Sequence, residues 1–430
     1  MQDVNRDLLT ELQRCVRGKI VFDCSQLESY STDFGGLRST RPSAVVPVES
    51  ETELSSALRV LYKVALPVVV RGGGLSCHGR TVTDGVILQN YCAASHVEQI
   101  AEDTVVVSGR VRWAMVIEEL KRRWLTPRVL TYSLSPTVGG TLSSGGYGAA
   151  SIRAGAQVDH VRRLRLVLPD GSAVWCSPEE NASLFRCALG GLGRVGIIER
   201  AEIAVEAYRP FVRVQKKAFN NLASTETVLL QTDADLFFVE SRDDEVHSQT
   251  GYWAGIEHVF GTDEVVPADF FQAGVQAVHT PETKHIWCDY FVNPSGLGPI
   301  LRFLDSRLPR TGLNRIQVLA IRNLPSRSSR AFLPLTHFES DRYFGIGVFY
   351  SVNAADTNLL KIARNAQRSL LHECLRLGGR PYLCGAHDLD EQDLEAIYQE
   401  DFFLLRELCR QQDPEQRFNQ TPAQLHRWEA

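Results

Sequence analysis

No apolar run in the 430 residues approaches the roughly 20 that span a bilayer, so the chain reads as free of membrane helices. An excess of basic charge is also missing. The formal net charge is -5, which excludes a nucleic-acid track as the main theme. The local run Arg162-Arg163-Leu164-Arg165 reads as a solvated strand edge. The stretch Met1–Leu9 has neither the basic nor the apolar region of a secretion signal. The ten cysteines contain no Cys-x-x-Cys and no zinc-type Cys/His spacing. They are expected to be free thiols in a reducing, cytoplasmic compartment, packed as small hydrophobes. Internal repeats, low-complexity tracts, a nucleophile elbow, a metal cluster and a catalytic Cys/His pair are all absent from the sequence. What remains, 44% apolar and 23% charged, is a globular chain long enough for two domains.

Glycine is what the chain has in concentrated form. The apolar run Pro67-Val68-Val69-Val70 leads into Arg71-Gly72-Gly73-Gly74-Leu75-Ser76-Cys77-His78-Gly79. A strand that empties into such a loop can bring bare backbone amides close to a phosphate. Two more loops follow, Thr137–Gly148 and Gly190–Ile198. One phosphate needs one loop, whereas an extended dinucleotide between two small subdomains can use all three. The first loop is not a G-x-G-x-x-G that opens a helix, so a Rossmann reading is poor.

Around these loops, Ala44–Val48, Val68–Val70, Val86–Leu88 and Val105–Val107 read as strands. Ser50 and Glu53 form a capping box for a helix. A hairpin is expected at Leu164–Leu168 and Ala173–Cys176, and a helix starting at Ser177-Pro178-Glu179-Glu180. After about Tyr208 the glycine clusters vanish. Strand-like runs at Leu236–Glu240, Ile286–Val292, Ile316–Ile321 and Tyr343–Val352, with a helix near Leu359–Leu377, predict an antiparallel sheet with helices on one face.

With the loops in hand, the chain resembles the flavoproteins of the vanillyl-alcohol-oxidase type, which have a PCMH-type FAD-binding domain, and most closely the cytokinin dehydrogenases. The matching segments are Ser31–Gly36 with Pro42–Val46, the three glycine loops, Arg153 with Gly155-Ala156-Gln157, Pro381-Tyr382-Leu383 and Asp413–Gln424. The resemblance implies an α+β fold: a two-subdomain FAD-binding domain over 1–206, an antiparallel-sheet substrate domain over 207–385, and a C-terminal segment over 386–430 that returns to the first. It implies FAD as cofactor, with Val70, Arg71, Gly72, Gly73, Gly74, Leu75, Ser76 and Gly79 along the diphosphate. Thr137, Gly140, Ser143, Gly146 and Tyr147 would sit in the second flavin loop, Gly196 and Ile198 near the adenine half, and Tyr382 and Gln424 near the isoalloxazine. Thr421-Pro422-Ala423-Gln424 is a shortened form of the family's ending.

Two departures stand out. The family's covalent attachment uses a His directly after the last glycine of the first loop, where this chain has Leu75. A Cys link in the second loop is also missing, since Ser133-Leu134-Ser135-Pro136 precede Thr137. FAD is therefore expected to be non-covalent, with a shifted link through His78 as the alternative. Secondly, cytokinin dehydrogenases place a proton-accepting Asp five residues before the Thr of the second loop, where this chain has Tyr132. A phenol with a reference pKa near ~10 is a poor base and a good hydrogen-bond donor; the alternative is a Tyr packed on the ring. Glu240 ends an apolar strand and reads either as a partly desolvated proton acceptor or as a solvated carboxylate paired with Arg242. His285, Trp287 and Asp289 alternate along a strand and face one way, as pocket residues or as a half-exposed strand. Tyr343 and Tyr350 lie on a strand crossing the substrate domain, and His337 and His387 complete the candidates.

The expected function is FAD-dependent removal of a hydride from a C–H next to N or O of a small, specialised-metabolite-like substrate. Tyr132 or Glu240 would take the coupled proton, Trp287, Asp289 and Tyr350 would contact the substrate, and oxygen or another acceptor would reoxidise the flavin. The alternatives are cytokinin dehydrogenase proper, and a non-redox cyclase or isomerase on a flavoprotein fold.

Overall fold

The computed structural model of the chain describes residues 5–77, 79–92, 97–254, 264–272, 280, 282–324 and 338–419. His78, His337 and Gln424 lie outside the described residues. The fold is α+β, with three sheets among the described residues.

The first sheet is parallel, in the order Ala44–Val48, Val86–Asn90, Val68–Arg71. The helix Glu51–Leu61 joins its outer strands and buries Leu54, Ala57, Leu58 and Leu61. Ser50 caps that helix by accepting from the Glu53 amide. Glu53 reaches back not to Ser50 but to the amide of Glu49.

The second sheet is antiparallel and centred on Ile197–Ala207, which pairs with Thr104–Ser108 on one side and Val161–Val167 on the other. The hairpin of Val161–Val167 with Ala173–Cys176 forms as expected. The helix expected at Ser177 does not. Ser177 Oγ accepts from the amides of Glu179 and Glu180 in a local turn, and Asn181 adopts a left-handed φ of 51°. The helix starts only at Ala182.

The third sheet has eight antiparallel strands in the order Glu264–Pro267, Phe211–Phe219, Glu245–Ala254, Leu236–Arg242, Leu313–Arg322, Arg342–Asn353, Thr283–Val292 and Arg380–Tyr382. The helices Pro294–Arg307 and Thr357–Arg376 cover one face. Ile286, Cys288, Tyr290 and Val292 point to that layer, where the Tyr290 hydroxyl donates to the Gln367 carbonyl at 2.9 Å. The alternate residues Trp287, Asp289 and Phe291 point the other way, toward the glycine loops. No described helix is long and apolar enough to cross a membrane.

The C-terminal helix Glu400–Gln412 ties back to the second sheet's layer through an ion pair between Arg186 and the buried Asp401. Beyond it, Asn419 bridges the first two sheets. Its Oδ1 accepts from the Val70 amide and its Nδ2 donates to the Gly193 carbonyl, both at 2.8 Å.

The turn after Thr104–Ser108 approaches the backbone of Ile197–Ala207 closely. A Cβ on Gly109 would lie 1.8 Å from the Ile198 carbonyl oxygen, a backbone atom that cannot swing aside. Gly109→Ala is therefore expected to cost about 1–3 kcal/mol of stability. Gly73→Ala, whose Cβ would meet nothing nearer than 3.6 Å, should leave the unfolding midpoint unchanged. Urea or thermal melts of both variants check this, and equal shifts would contradict it.

Candidate functional site

The parallel strand Val68–Arg71 delivers the first glycine loop to the junction of all three sheets. Four oxygens of that loop are occupied. Gln89 Nε2 donates to the carbonyls of Arg71 and Gly72, at 3.2 and 2.9 Å. The amides of Phe34 and Gly35 donate to the carbonyls of Gly74 and Ser76, both at 3.0 Å. By contrast, no described residue accepts a hydrogen bond from the amides of Gly72, Gly73, Gly74 or Leu75. A row of open donors beside a cavity is a cradle for an anion. The space is closed to side chains: a Cβ on Gly72 would sit 2.8 Å from Thr137 Oγ1, and Gly74 holds a left-handed φ of 70°.

The cavity has a volume of about 760 Å³ and runs from these amides to the exposed face of the eight-stranded sheet. Val70, Gly72–Ser76, Thr137, Gly140, Ser143, Gly146, Tyr147, Gly196, Ile198 and Tyr382 all line it. Tyr382 closes its far side, accepting a 3.0 Å hydrogen bond from the Gly146 amide and packing edge-on against Tyr147. Leu75 faces the cavity and is 39% exposed, with no nucleophilic atom to offer.

Two residues expected along the diphosphate lie elsewhere. Arg71 sends its guanidinium behind the loop, donating to the carbonyls of Thr32 at 2.9 Å and Tyr30 at 3.3 Å and lying over the Tyr30 ring. Gly79 is likewise behind it, its amide donating to Asp33 Oδ2 at 2.6 Å. Their work is to fix the loop's shape.

Over the cavity, strand register sets the chemistry. Glu240 lies opposite Gln317, Gln317 opposite Gly347, and Gly347 opposite Asp289, in one row across the sheet. A side chain on Gly347 would run into Phe349 and Asp289, its Cβ 2.4 Å from the Phe349 ring and 2.7 Å from Asp289 Oδ1. Burial in this row raises the Asp289 carboxyl to about 7, while Arg315 nearby pulls it down. A carboxyl in that range can both take and give a proton near neutrality.

Trp287 lines the cavity as expected, edge-on to Phe349 and to Phe34. His285 stacks flat on Phe34 at 4.5 Å. Tyr132 also lines the cavity and packs edge-on against Phe238. Burial, reinforced by the charge of Glu240, pushes its phenol well above the usual range. A phenol so placed keeps its proton and suits donating better than accepting.

Glu240 is outside the cavity lining and sits 3.6 Å from Arg315 and 3.8 Å from His247. Arg242, its expected partner, instead faces Asp243. Tyr350 points into the helical layer, where its hydroxyl donates to the Pro309 carbonyl at 2.8 Å. Tyr343 is buried and its hydroxyl meets that of Tyr147. His387 is buried beside Tyr290, with its imidazole pushed down to about 4 by desolvation.

Sequence reasoning passed over Phe34, Arg315, Gln317 and Asn419, all of which line the cavity. Arg315 and Gln317 did leave a signal: two polar residues alternating with apolar ones in Leu313–Arg322 mark a polar face on a buried strand. Among the described residues no group of three His, Cys, Asp or Glu is placed to hold a metal ion.

Residues 42–177 match a family model described as an FAD binding domain. The glycine cradle fits that cofactor, with open amides for a diphosphate and a cavity long enough to reach the third sheet. The chain is 35% identical over 200 residues to the oxidoreductase ORF5 of the fasciation locus of Rhodococcoides fascians, covering 46% of each chain. It is 31% identical over 230 residues to cytokinin dehydrogenase 9 of Oryza sativa subsp. japonica, covering 51% of this chain and 44% of the relative. With cytokinin dehydrogenase 4 of the same plant it shares 30% identity over 317 residues, or 69% of this chain and 60% of the relative. The matches thus span roughly half the length of these curated relatives. Cofactor loops, family match and relatives agree: the chain carries an FAD-binding domain over residues 42–177 and is similar to an oxidoreductase and to the cytokinin dehydrogenases.

Proposed function

We propose that the chain is an FAD-dependent dehydrogenase or oxidase that removes a hydride from a carbon next to nitrogen or oxygen of a small planar substrate. The observation that carries the reading is one continuous cavity joining the open amides of the first glycine loop to Asp289 on the third sheet. FAD, when bound, supplies the acceptor for the hydride and passes electrons to oxygen or another oxidant. The protein's part is placement and proton transfer. Trp287 and Phe349 offer flat apolar walls for a ring and keep water from the reacting carbon. Asp289 takes the coupled proton on its carboxylate, a role that its pKa of about 7 supports. Tyr132, held protonated, donates to an oxygen or ring nitrogen of the substrate. Glu240 holds Arg315 in place and does not itself act on the substrate.

A second reading, cytokinin oxidation proper, is favoured by the names of the rice relatives. Tyr132 in place of the family's Asp weighs against it. Turnover of an isoprenyl adenine with a dye acceptor separates the two. A substrate that is converted anaerobically without bleaching the flavin would favour non-redox use of the fold.

Three outcomes are expected. The purified protein loaded with FAD is yellow, and acid precipitation leaves the colour in the supernatant, because Leu75 offers no attachment atom; colour retained in the pellet would refute non-covalent binding. Anaerobic flavin reduction by a bleaching substrate speeds up as pH rises through about 7, since Asp289 must be ionised to accept a proton. Asp289→Asn slows that reduction by about 10²–10⁴-fold and removes the rise with pH, at unchanged FAD content. A stopped-flow profile that keeps its wild-type shape in this variant would exclude Asp289 as the acceptor.

A further inference from the structure

Arg315 is an unusual group for the wall of an apolar cavity. Its side chain is 11% exposed, and its guanidinium lies between two rings, 4.8 Å from the centre of Phe349 and 5.4 Å from that of Tyr132. Both rings hold the group by cation–π contact. Its carboxylate neighbour, Glu240, is 3.6 Å away, beyond hydrogen-bond reach, and stands outside the cavity lining. Among the described residues none accepts a hydrogen bond from the Arg315 guanidinium.

The groups around it are also donors without partners. Gln317 Nε2 and Trp287 Nε1 are buried and unpaired, and so is the Tyr132 hydroxyl; Gln317 faces that hydroxyl without reaching hydrogen-bond geometry. All four residues line the same cavity. A buried donor left without an acceptor is costly, so a set of them calls for a ligand that accepts. A planar, permanently charged fork with open N–H groups matches the two oxygens of a carboxylate better than any neutral acceptor.

We propose that the substrate of this site carries a carboxylate, bound by Arg315 with Gln317 and Tyr132 donating beside it. The inference rests on the cavity being the substrate site of a flavoenzyme, as proposed above. It narrows the substrate class to acids whose oxidised carbon lies on the Asp289 side. Arg315 then selects the substrate, and Glu240 and the two rings hold its fork in place. Asp289 is close to half protonated at neutral pH, so the cavity can admit a further negative charge.

The test uses the FAD-loaded full chain, with flavin content read first. A protein that takes up no FAD would overturn the flavoenzyme reading itself. With FAD bound, benzoate and its neutral isostere benzamide are titrated separately, and the perturbation of the flavin absorbance is followed. Benzoate is expected to bind at least about tenfold more tightly than benzamide. Arg315→Gln should abolish that preference at unchanged flavin content, and Arg315→Lys should restore part of it. Equal affinities in the wild-type protein, no response to benzoate, or an unchanged preference in Arg315→Gln would each overturn the proposal. The wild-type comparison decides the matter even if Arg315→Gln does not fold.

Discussion

The polarity of one loop governs the cofactor half of the molecule. A backbone loop carries donors and acceptors in equal number, and it attracts an anion only if its oxygens are occupied elsewhere. Here the carbonyls of Arg71, Gly72, Gly74 and Ser76 are all taken, by Gln89 on one side and by the backbone of Phe34 and Gly35 on the other. Arg71, the single cation of the loop, is consumed in the same way, fastening it to Tyr30 and Thr32. The amides of Gly72–Leu75 have no such partners among the described residues. Anion affinity therefore comes from fixed dipoles rather than from a mobile side chain, and such dipoles need no reorganisation when the ligand arrives.

The half proposed to hold the substrate is built by the opposite means. Its sheet is covered by helices on one face and turns the other to the cavity, so every second residue of three central strands contributes to a wall. Gly345 and Gly347 hollow out the middle of that wall, and charged or polar groups stand around the hollow. Burial raises Asp289 while Arg315 opposes the rise, and the balance leaves a carboxyl that titrates close to neutrality. Tyr132 shares the neighbour Arg315 but has a phenol's intrinsic weakness as an acid, and burial only makes it weaker. Two groups lining one cavity are thus suited to different proposed roles by the same desolvation.

The cofactor side was the more legible in sequence. A glycine loop is a local demand on consecutive backbone positions, so it is written contiguously, and the lining residues Gly72–Ser76 and most of Thr137–Tyr147 follow from it. Side-chain direction is not written there, which is why Arg71 and Gly79 read as ligand contacts and turn out to be braces. Among the strands, Thr283–Val292 and Arg342–Asn353 are visible as apolar runs, whereas Phe211–Phe219 is hidden by Arg213, Lys216 and Lys217. The pattern at Ser177 has the letters of a helix start, but a turn satisfies it locally. The substrate wall is the least legible part. Glu240, Gln317, Gly347 and Asp289 share a row only because of strand order and register, neither of which any one segment contains.

Asn419 joins the Val70 amide to the Gly193 carbonyl, and 349 positions of chain separate it from the first of these. A contact that long closes late, after the loop-closure entropy of nearly the whole polypeptide has been overcome. During synthesis the three glycine loops emerge well before the residue that buckles two of them together. The cradle is thus an assembly-dependent site, and any partly made chain meets the flavin with its clasp undone.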